Sequence, residues 1–130
     1  MNIRQIIATL VLTNIALFAT AQDSIKYVFK GADNSLDTRM CVAAASNNLR
    51  RLKGAVRMDG YGIRYITRFL ICNDQDITNF AAKYGTYNTT KYLNRYAPKK
   101  YKINSDEVEI IDLVHQSSSG QVEVIYISSK

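Results

Sequence analysis

The chain has 130 residues, 17 of them basic and 11 acidic, for a formal net charge of +6. That length holds one domain with a modest core. No run after residue 21 is long and apolar enough for a membrane-spanning helix.

The N-terminus has the layout of a secretory signal peptide. Met1 to Arg4 is a short basic start, Ile6 to Phe18 is almost purely apolar, and Ala19-Thr20-Ala21 is an A-x-A site. Cleavage is expected after Ala21, and the absence of a cysteine at that point argues against a lipid-anchored form. The expected location is periplasmic or secreted. Removing 21 of the 130 residues, Arg4 among them, leaves 109 with 16 basic and 11 acidic side chains, a charge of +5. Residues 22–130 are expected to form a single small domain, helical over 34–97 and closed by a β-hairpin over 106–128.

Ile25 to Lys30 is β-branched and aromatic and predicts a short strand. Asn34 followed three residues later by Asp37 resembles a capping box, with the acid at the positive end of the helix dipole. Leu36, Met40, Ala43 and Ala44 then repeat at helical spacing until Ser46-Asn47-Asn48 interrupts them. A second helix is expected from about Asn48 to Val56, with Leu49, Leu52, Ala55 and Val56 on its apolar side. Asp59-Gly60-Tyr61-Gly62 is the clearest break. Ile63, Ile66, Phe69 and Leu70 suit a third helix ending near Cys72-Asn73. A fourth is expected from Asp76, its N-cap, to Tyr84, with Gly85 as a left-handed C-cap. A fifth covers about Asn88 to Tyr96, and Pro98 stops it.

Glu107 to His115 and Gln121 to Ser128 are β-rich runs joined by Gln116 to Gly120, a hairpin pattern. With His115 opposite Gln121, Val108, Ile110, Val114, Val122, Val124 and Tyr126 share one face with Asp112. A carboxylate buried there needs a partner, because an unpaired buried charge is costly. Ile111, Leu113, Ile125 and Ile127 leave apolar groups on the second face, which invite self-association and make a homodimer through the hairpin one option. A lone hairpin is marginal, so Ile25–Lys30 is expected as a third strand.

In an exported chain, Cys41 and Cys72 read as one structural disulfide. Zinc would need four ligands, and beyond the two thiols there is one histidine, His115, far along the chain. Redox catalysis usually shows C-x-x-C, which is absent. No cofactor and no metal are expected.

Charge is unevenly distributed. Arg39 to Arg68 holds seven basic residues and one acid, Asp59, and Lys83 to Lys102 holds six basic residues and no acid. Asp106, Glu107, Glu109, Asp112 and Glu123 then face Lys130 alone. A basic middle and an acidic tail attract each other within one molecule; the sharper reading is a face for an anionic partner. Arg50, Lys53 and Arg57 have helical spacing, Arg64 and Arg68 are four apart, as are Lys91 and Arg95, and Lys99 and Lys100 follow the fifth helix. Tyrosines such as Tyr61, Tyr65, Tyr92 and Tyr96 run through the same regions, so phosphates or anionic sugars are candidate ligands by charge and stacking. The competing reading is a solvated helix face with half-buried tyrosines. Nucleic acid is not expected to be a partner of an exported protein.

Residues 38–56 and 80–93 loosely follow the ankyrin helix-turn-helix pattern, with Ala43 and Ala81 in equivalent places. The physical content is that small residues let antiparallel helices approach closely. A more specific resemblance runs from Cys41 to Asn94. C-V-A-A-A-S-N-N-L (Cys41 to Leu49), C-N-D-Q-D-I-T-N-F-A-A-K-Y-G (Cys72 to Gly85) and Y-L-N-R (Tyr92 to Arg95) resemble one family. It comprises the small exported proteins of marine gamma-proteobacteria grouped as domain of unknown function thirty-seven-eighteen. The resemblance implies a bacterial envelope or secreted setting and a helical domain with paired cysteines, and it implies no activity.

The fold expected is therefore α+β: an N-terminal strand, about five short helices in antiparallel, loosely ankyrin-like pairs, one disulfide and a C-terminal hairpin. Catalysis has little support: no G-x-S-x-G, H-E-x-x-H or glycine-rich phosphate loop occurs, and His115 lacks a nearby partner. A non-enzymatic interaction module docking an envelope protein is the leading reading. A binder of lipopolysaccharide or acidic glycan through the basic face is the alternative, and an enzyme is the remote one.

Overall fold

A computed structural model describes residues 25–104 and 121–130. The chain runs β1 (Lys26–Gly31), α1 (Leu36–Ala45), α2 (Leu49–Asp59), α3 (Ile63–Phe69), β2 (Ile71–Cys72), β3 (Gln75–Asp76), α4 (Ile77–Lys83), α5 (Tyr87–Tyr96), a 3-10 turn (Lys99–Tyr101) and β4 (Val122–Ile127). Among the described residues it is a mixed α+β fold with five α-helices. The expected signal peptide, and the first arm and turn of the expected hairpin with Asp112 and His115, lie outside the described residues.

Local chemistry explains most boundaries. The α1 cap is Ser35 rather than Asn34. Asp33 Oδ1 accepts the Ser35 N–H at 2.8 Å, and the Ser35 hydroxyl accepts the Thr38 N–H at 3.2 Å, which starts the helix one residue later. Asn48 caps α2 by accepting the Arg51 N–H at 3.0 Å, and α2 runs on to Asp59 because its first left-handed glycine is Gly60 (φ 83°). Asp76 caps α4 by accepting the Thr78 and Asn79 N–H groups, both at 3.1 Å, and Gly85 follows that helix at φ 65°. Asn47 links the two helix pairs. It sits at φ 54° in the α1–α2 turn, and its Oδ1 accepts the Asn88 and Thr89 N–H groups at the start of α5.

The third helix ends earlier than its sequence predicts. Leu70 is extended, Ile71–Cys72 form β2, and a tight turn with Asn73 and Asp74 at φ 45° and 65° pairs them antiparallel with Gln75–Asp76. Backbone partners elsewhere in the chain override the helical pattern. Ile71 exchanges both backbone hydrogen bonds with Lys130 (3.1 and 3.2 Å), and the Asn73 N–H donates to Ser128 O at 3.0 Å.

β1 and β4 form a parallel pair, with Lys26 opposite Val122 and Gly31 opposite Ile127. The inward face of β4 is the reverse of the one expected. Ile127 is fully buried and Ile125 half-buried, while Val122, Val124 and Tyr126 are exposed. Both faces of this strand carry β-branched or aromatic residues, so alternation alone did not decide the matter. Phe29, opposite Ile125, packs edge-on against Tyr84 and sets the inner side.

The core lies around α1, which touches α2, α4, α5 and both long strands. Met40, Leu52, Ile77, Phe80, Leu93 and Ile127 fill it, with Ala43, Ala44, Ala55 and Ala81 allowing close helix approach. Cys41 of α1 and Cys72 of β2 are disulfide-bonded across 31 residues, both fully buried, with Cα atoms 5.7 Å apart. Loop-closure entropy puts the contribution of such a cross-link at about 3–4 kcal/mol. Among the described residues no helix is long and apolar enough to cross a membrane.

Candidate functional site

α3 is short and amphipathic in an unusual sense. Its inner stripe, Ile66 and Thr67, is buried, and the Thr67 hydroxyl donates to Tyr96 O at 3.0 Å, tying α3 to the end of α5. Its outer stripe is aromatic as well. Tyr65 and Phe69 are four apart, the spacing that places side chains above one another on a helix, and Tyr61, in the turn just before α3, continues the line. Their rings form a continuous stack, with centroids 4.6 Å apart for Tyr61–Tyr65 and 4.7 Å for Tyr65–Phe69. They nevertheless stay in water, at 70%, 44% and 54% exposure respectively.

Two left-handed glycines, Gly60 and Gly62, turn the chain from α2 into this ridge. The turn leaves a groove of about 220 Å³ between the ridge and the end of α2. Asp37 and Asp59 supply carboxylates to it, Ile66 and Leu70 apolar surface, and Lys130 stands at its edge. Asp59 Oδ2 is buried and has no hydrogen-bond partner among the described residues. The Lys130 ammonium is held at 2.9 Å by Asp74, the one ion pair among the described residues.

The predicted basic residues Arg50, Lys53, Arg57, Arg64, Arg68, Lys91, Arg95, Lys99 and Lys100 are all exposed. Contacts bring some of them together. Lys53 Nζ lies 5.0 Å from the Tyr92 ring centroid, and Arg57 Nε donates to Lys53 O at 3.3 Å. Burial raises the Tyr92 phenol above its ordinary pKa, Tyr96 adds to the rise, and Arg57 opposes it. Lys53, Arg57, Tyr92 and Tyr96 thus form one cluster where α2 meets α5. Lys91 turns instead to the Tyr87 hydroxyl at 3.2 Å, and Lys100 lies 4.3 Å from the Tyr101 ring centroid. No described contact joins Arg50, Arg64, Arg68, Arg95 or Lys99 to this cluster.

A second, larger groove of about 460 Å³ runs between α1 and α2, with Asp33, Arg39, Ser46 and Arg51 on its walls and Met58 at one end. Its charges are of both signs. Among the described residues no group of three His, Cys, Asp or Glu side chains could hold a metal ion.

Sequence reasoning placed Phe69 on the apolar side of α3, and the structure corrects this: Phe69 lies on the exposed ridge. It also passed over Asp59 as part of a turn. The missed clue was the spacing of Tyr61, Tyr65 and Phe69, out of phase with the Ile63–Ile66 stripe.

The family described as "Protein of unknown function (DUF3718)" matches residues 40–114, a stretch containing both cysteines and the whole ridge. No curated protein and no solved structure matches the chain.

Proposed function

We propose, for a chain that belongs to the family of proteins of unknown function DUF3718, the role of a non-enzymatic interaction module that docks a partner protein through the α3 ridge. The observation that carries this reading is the stack of three large rings left in water. Exposed, packed aromatic side chains are the groups that anchor protein interfaces, and isolated folding stability gives no reason to keep them outside. The ridge is braced on both sides, by Thr67 on Tyr96 O and by the disulfide-bearing β2 directly after it. A braced surface loses little conformational freedom on binding.

The setting we propose is the bacterial periplasm or exterior, reached through residues 1–21 as a cleaved signal peptide, with residues 22–130 as one domain. The same reading has residues 106–128 as a hairpin and the helices in loosely ankyrin-like antiparallel pairs. The test is a pull-down from envelope extract with tagged protein, beside a Tyr65→Ala/Phe69→Ala variant. A discrete protein retained by the parent and lost by the variant is expected. Equal retention by both would remove the ridge from consideration.

A second reading is favoured by one observation, the Lys53–Arg57–Tyr92 cluster, whose cations have no carboxylate partner among the described residues. It has the basic face binding lipopolysaccharide or acidic glycan. Salt-sensitive retention on lipopolysaccharide, lost when Arg50, Lys53 and Arg57 become Gln, is the outcome that supports it.

A further inference from the structure

We infer that Ser128, Ser129 and Lys130, the strap that follows β4, form a latch over the Cys41–Cys72 disulfide, and that a thiol reaches the bond by lifting this strap while the rest of the fold stays closed. The inference goes beyond the docking reading. Both cysteines are fully buried, so no reagent meets either sulfur in the closed fold. Backbone flanks Cys72 on two sides. On one, Gln75 of β3 pairs with it; on the other, Ser129 lies opposite in an antiparallel bridge. Bonds either side of that bridge hold the strap down: Ile71 with Lys130 in both directions, and the Asn73 N–H to Ser128 O. The strap also reaches the other end of the cross-link. The Ser129 hydroxyl is hydrogen-bonded at 2.9 Å to that of Thr38, which is fully buried and lies about one turn before Cys41 on α1.

The walls around the disulfide are unequal in strength. α1 and α4 hold the core through Met40, Ile77 and Phe80, and moving either opens that core. β3 runs straight into α4 and carries its cap, Asp76. The strap is Ser-Ser-Lys and has no apolar side chain to bury. Polar contacts alone hold it. Beyond the backbone pairs and Thr38, the Asn73 side chain accepts the Ser128 N–H at 2.8 Å and donates to Tyr126 O at 2.9 Å. The Lys130–Asp74 ion pair is 75% and 80% exposed, and pairs so exposed contribute little. A segment held without apolar burial opens locally before the whole domain unfolds. Ile127, fully buried just before the strap, marks where that opening stops.

The chemistry needs only an outside dithiol. With the strap lifted, one of its thiolates attacks Cys72 Sγ, the S–S bond breaks, and Cys41 leaves as a thiolate that takes up a proton. The second thiolate then displaces Cys72, which is protonated in turn, as the reagent closes to a disulfide. The protein gains two electrons and two protons, and the dithiol loses them. β2 is then no longer tied to α1. It follows α3 after Leu70 alone, so the brace of the ridge goes with it. That last link, and it alone, rests on the docking reading.

The test is reduction of the oxidised full chain by dithiothreitol across a urea series below the unfolding transition, with free thiols alkylated and counted by intact mass. A rate nearly independent of urea is expected, because lifting three residues exposes little surface. Asn73→Gly removes the side-chain clasp and leaves a residue suited to φ 45°. It should speed reduction about tenfold without urea. Leu93→Val loosens the core in α5, away from the strap, and should lower the unfolding midpoint while leaving that rate unchanged. Reduction with the urea dependence of global unfolding, no acceleration in Asn73→Gly, or equal acceleration in Leu93→Val would overturn the latch. The ridge is read separately, as faster amide exchange in α3 of the reduced chain; unchanged exchange there would remove the link to docking. The reduction rates involve no partner, so a failed pull-down would strike the docking reading and leave the latch standing.

Discussion

Two helices of this molecule have the same length and opposite lives. α3 and α4 each span seven residues, too short to persist alone in water. α4 buries Ile77, Thr78, Phe80 and Ala81, and its first turn is capped by the Asp76 carboxylate. α3 buries only Ile66 and Thr67, begins at a glycine with no side-chain cap, and turns Tyr65 and Phe69 outward beside Tyr61 of the preceding turn. Phe80 is 1% exposed and Phe69 54%. The same residue type therefore answers to folding in one helix and to something outside the chain in the other.

Stability measurements can break that contrast or sharpen it. Phe80→Ala should cost about 3–5 kcal/mol in denaturant unfolding, as expected for emptying a core site. A loss below about 1 kcal/mol would mean that α4 is not the core helix described here. Replacing Cys41 and Cys72 together by Ser should cost about 3–4 kcal/mol. The same variant should speed amide exchange in α3 more than in α5, since β2 braces the ridge; equal acceleration would argue that the brace is unimportant. Asp76→Ala should cost about 1–2 kcal/mol through the lost cap of α4. Thr78→Val carries the opposite sign. The Thr78 hydroxyl is buried without a partner among the described residues, so the isosteric change should stabilise by about 1 kcal/mol, read as a higher melting temperature. Phe69→Ala closes the series, with an expected change within about 0.5 kcal/mol. A cost like that of Phe80→Ala would show Phe69 to be a folding residue after all.

The helical half of the fold was largely legible in the sequence because its information is local. Asp76, Gly85, Pro98 and the Asp59–Gly62 break each act on the few residues beside them, and the helices near them match within a few residues. The disulfide was legible too, since two cysteines permit one intramolecular pair. What escaped was set at a distance. The end of α3 is decided by backbone bonds to Ser128 and Lys130, which no local pattern announces. The inward face of β4 is decided by Phe29 and Tyr84, because both of its own faces look equally suited to a core. The ridge lay in plain view as a four-residue aromatic spacing. Hydrophobic periodicity, however, assigns a phenylalanine to the core by default, and a single sequence offers no sign that one stripe of a helix is spare. The basic residues were read correctly as exposed, yet which of them meet depended on α2 crossing α5.

The parallel pairing of β1 with β4 also sets a timetable. Residues 26–31 cannot find their partner until residues 122–127 have been made, whereas the cysteines are separated by only 31 positions. Long-range strand pairing is slow because the loop must close before the contacts reward it. The helical part therefore has every chance to collapse and oxidise first, with β1 waiting as an open edge rich in Val, Phe and Tyr. The interval before β4 arrives is when this chain is most exposed to aggregation, and slowing the delivery of its last strand should lower the yield of native protein far more than it lowers native stability.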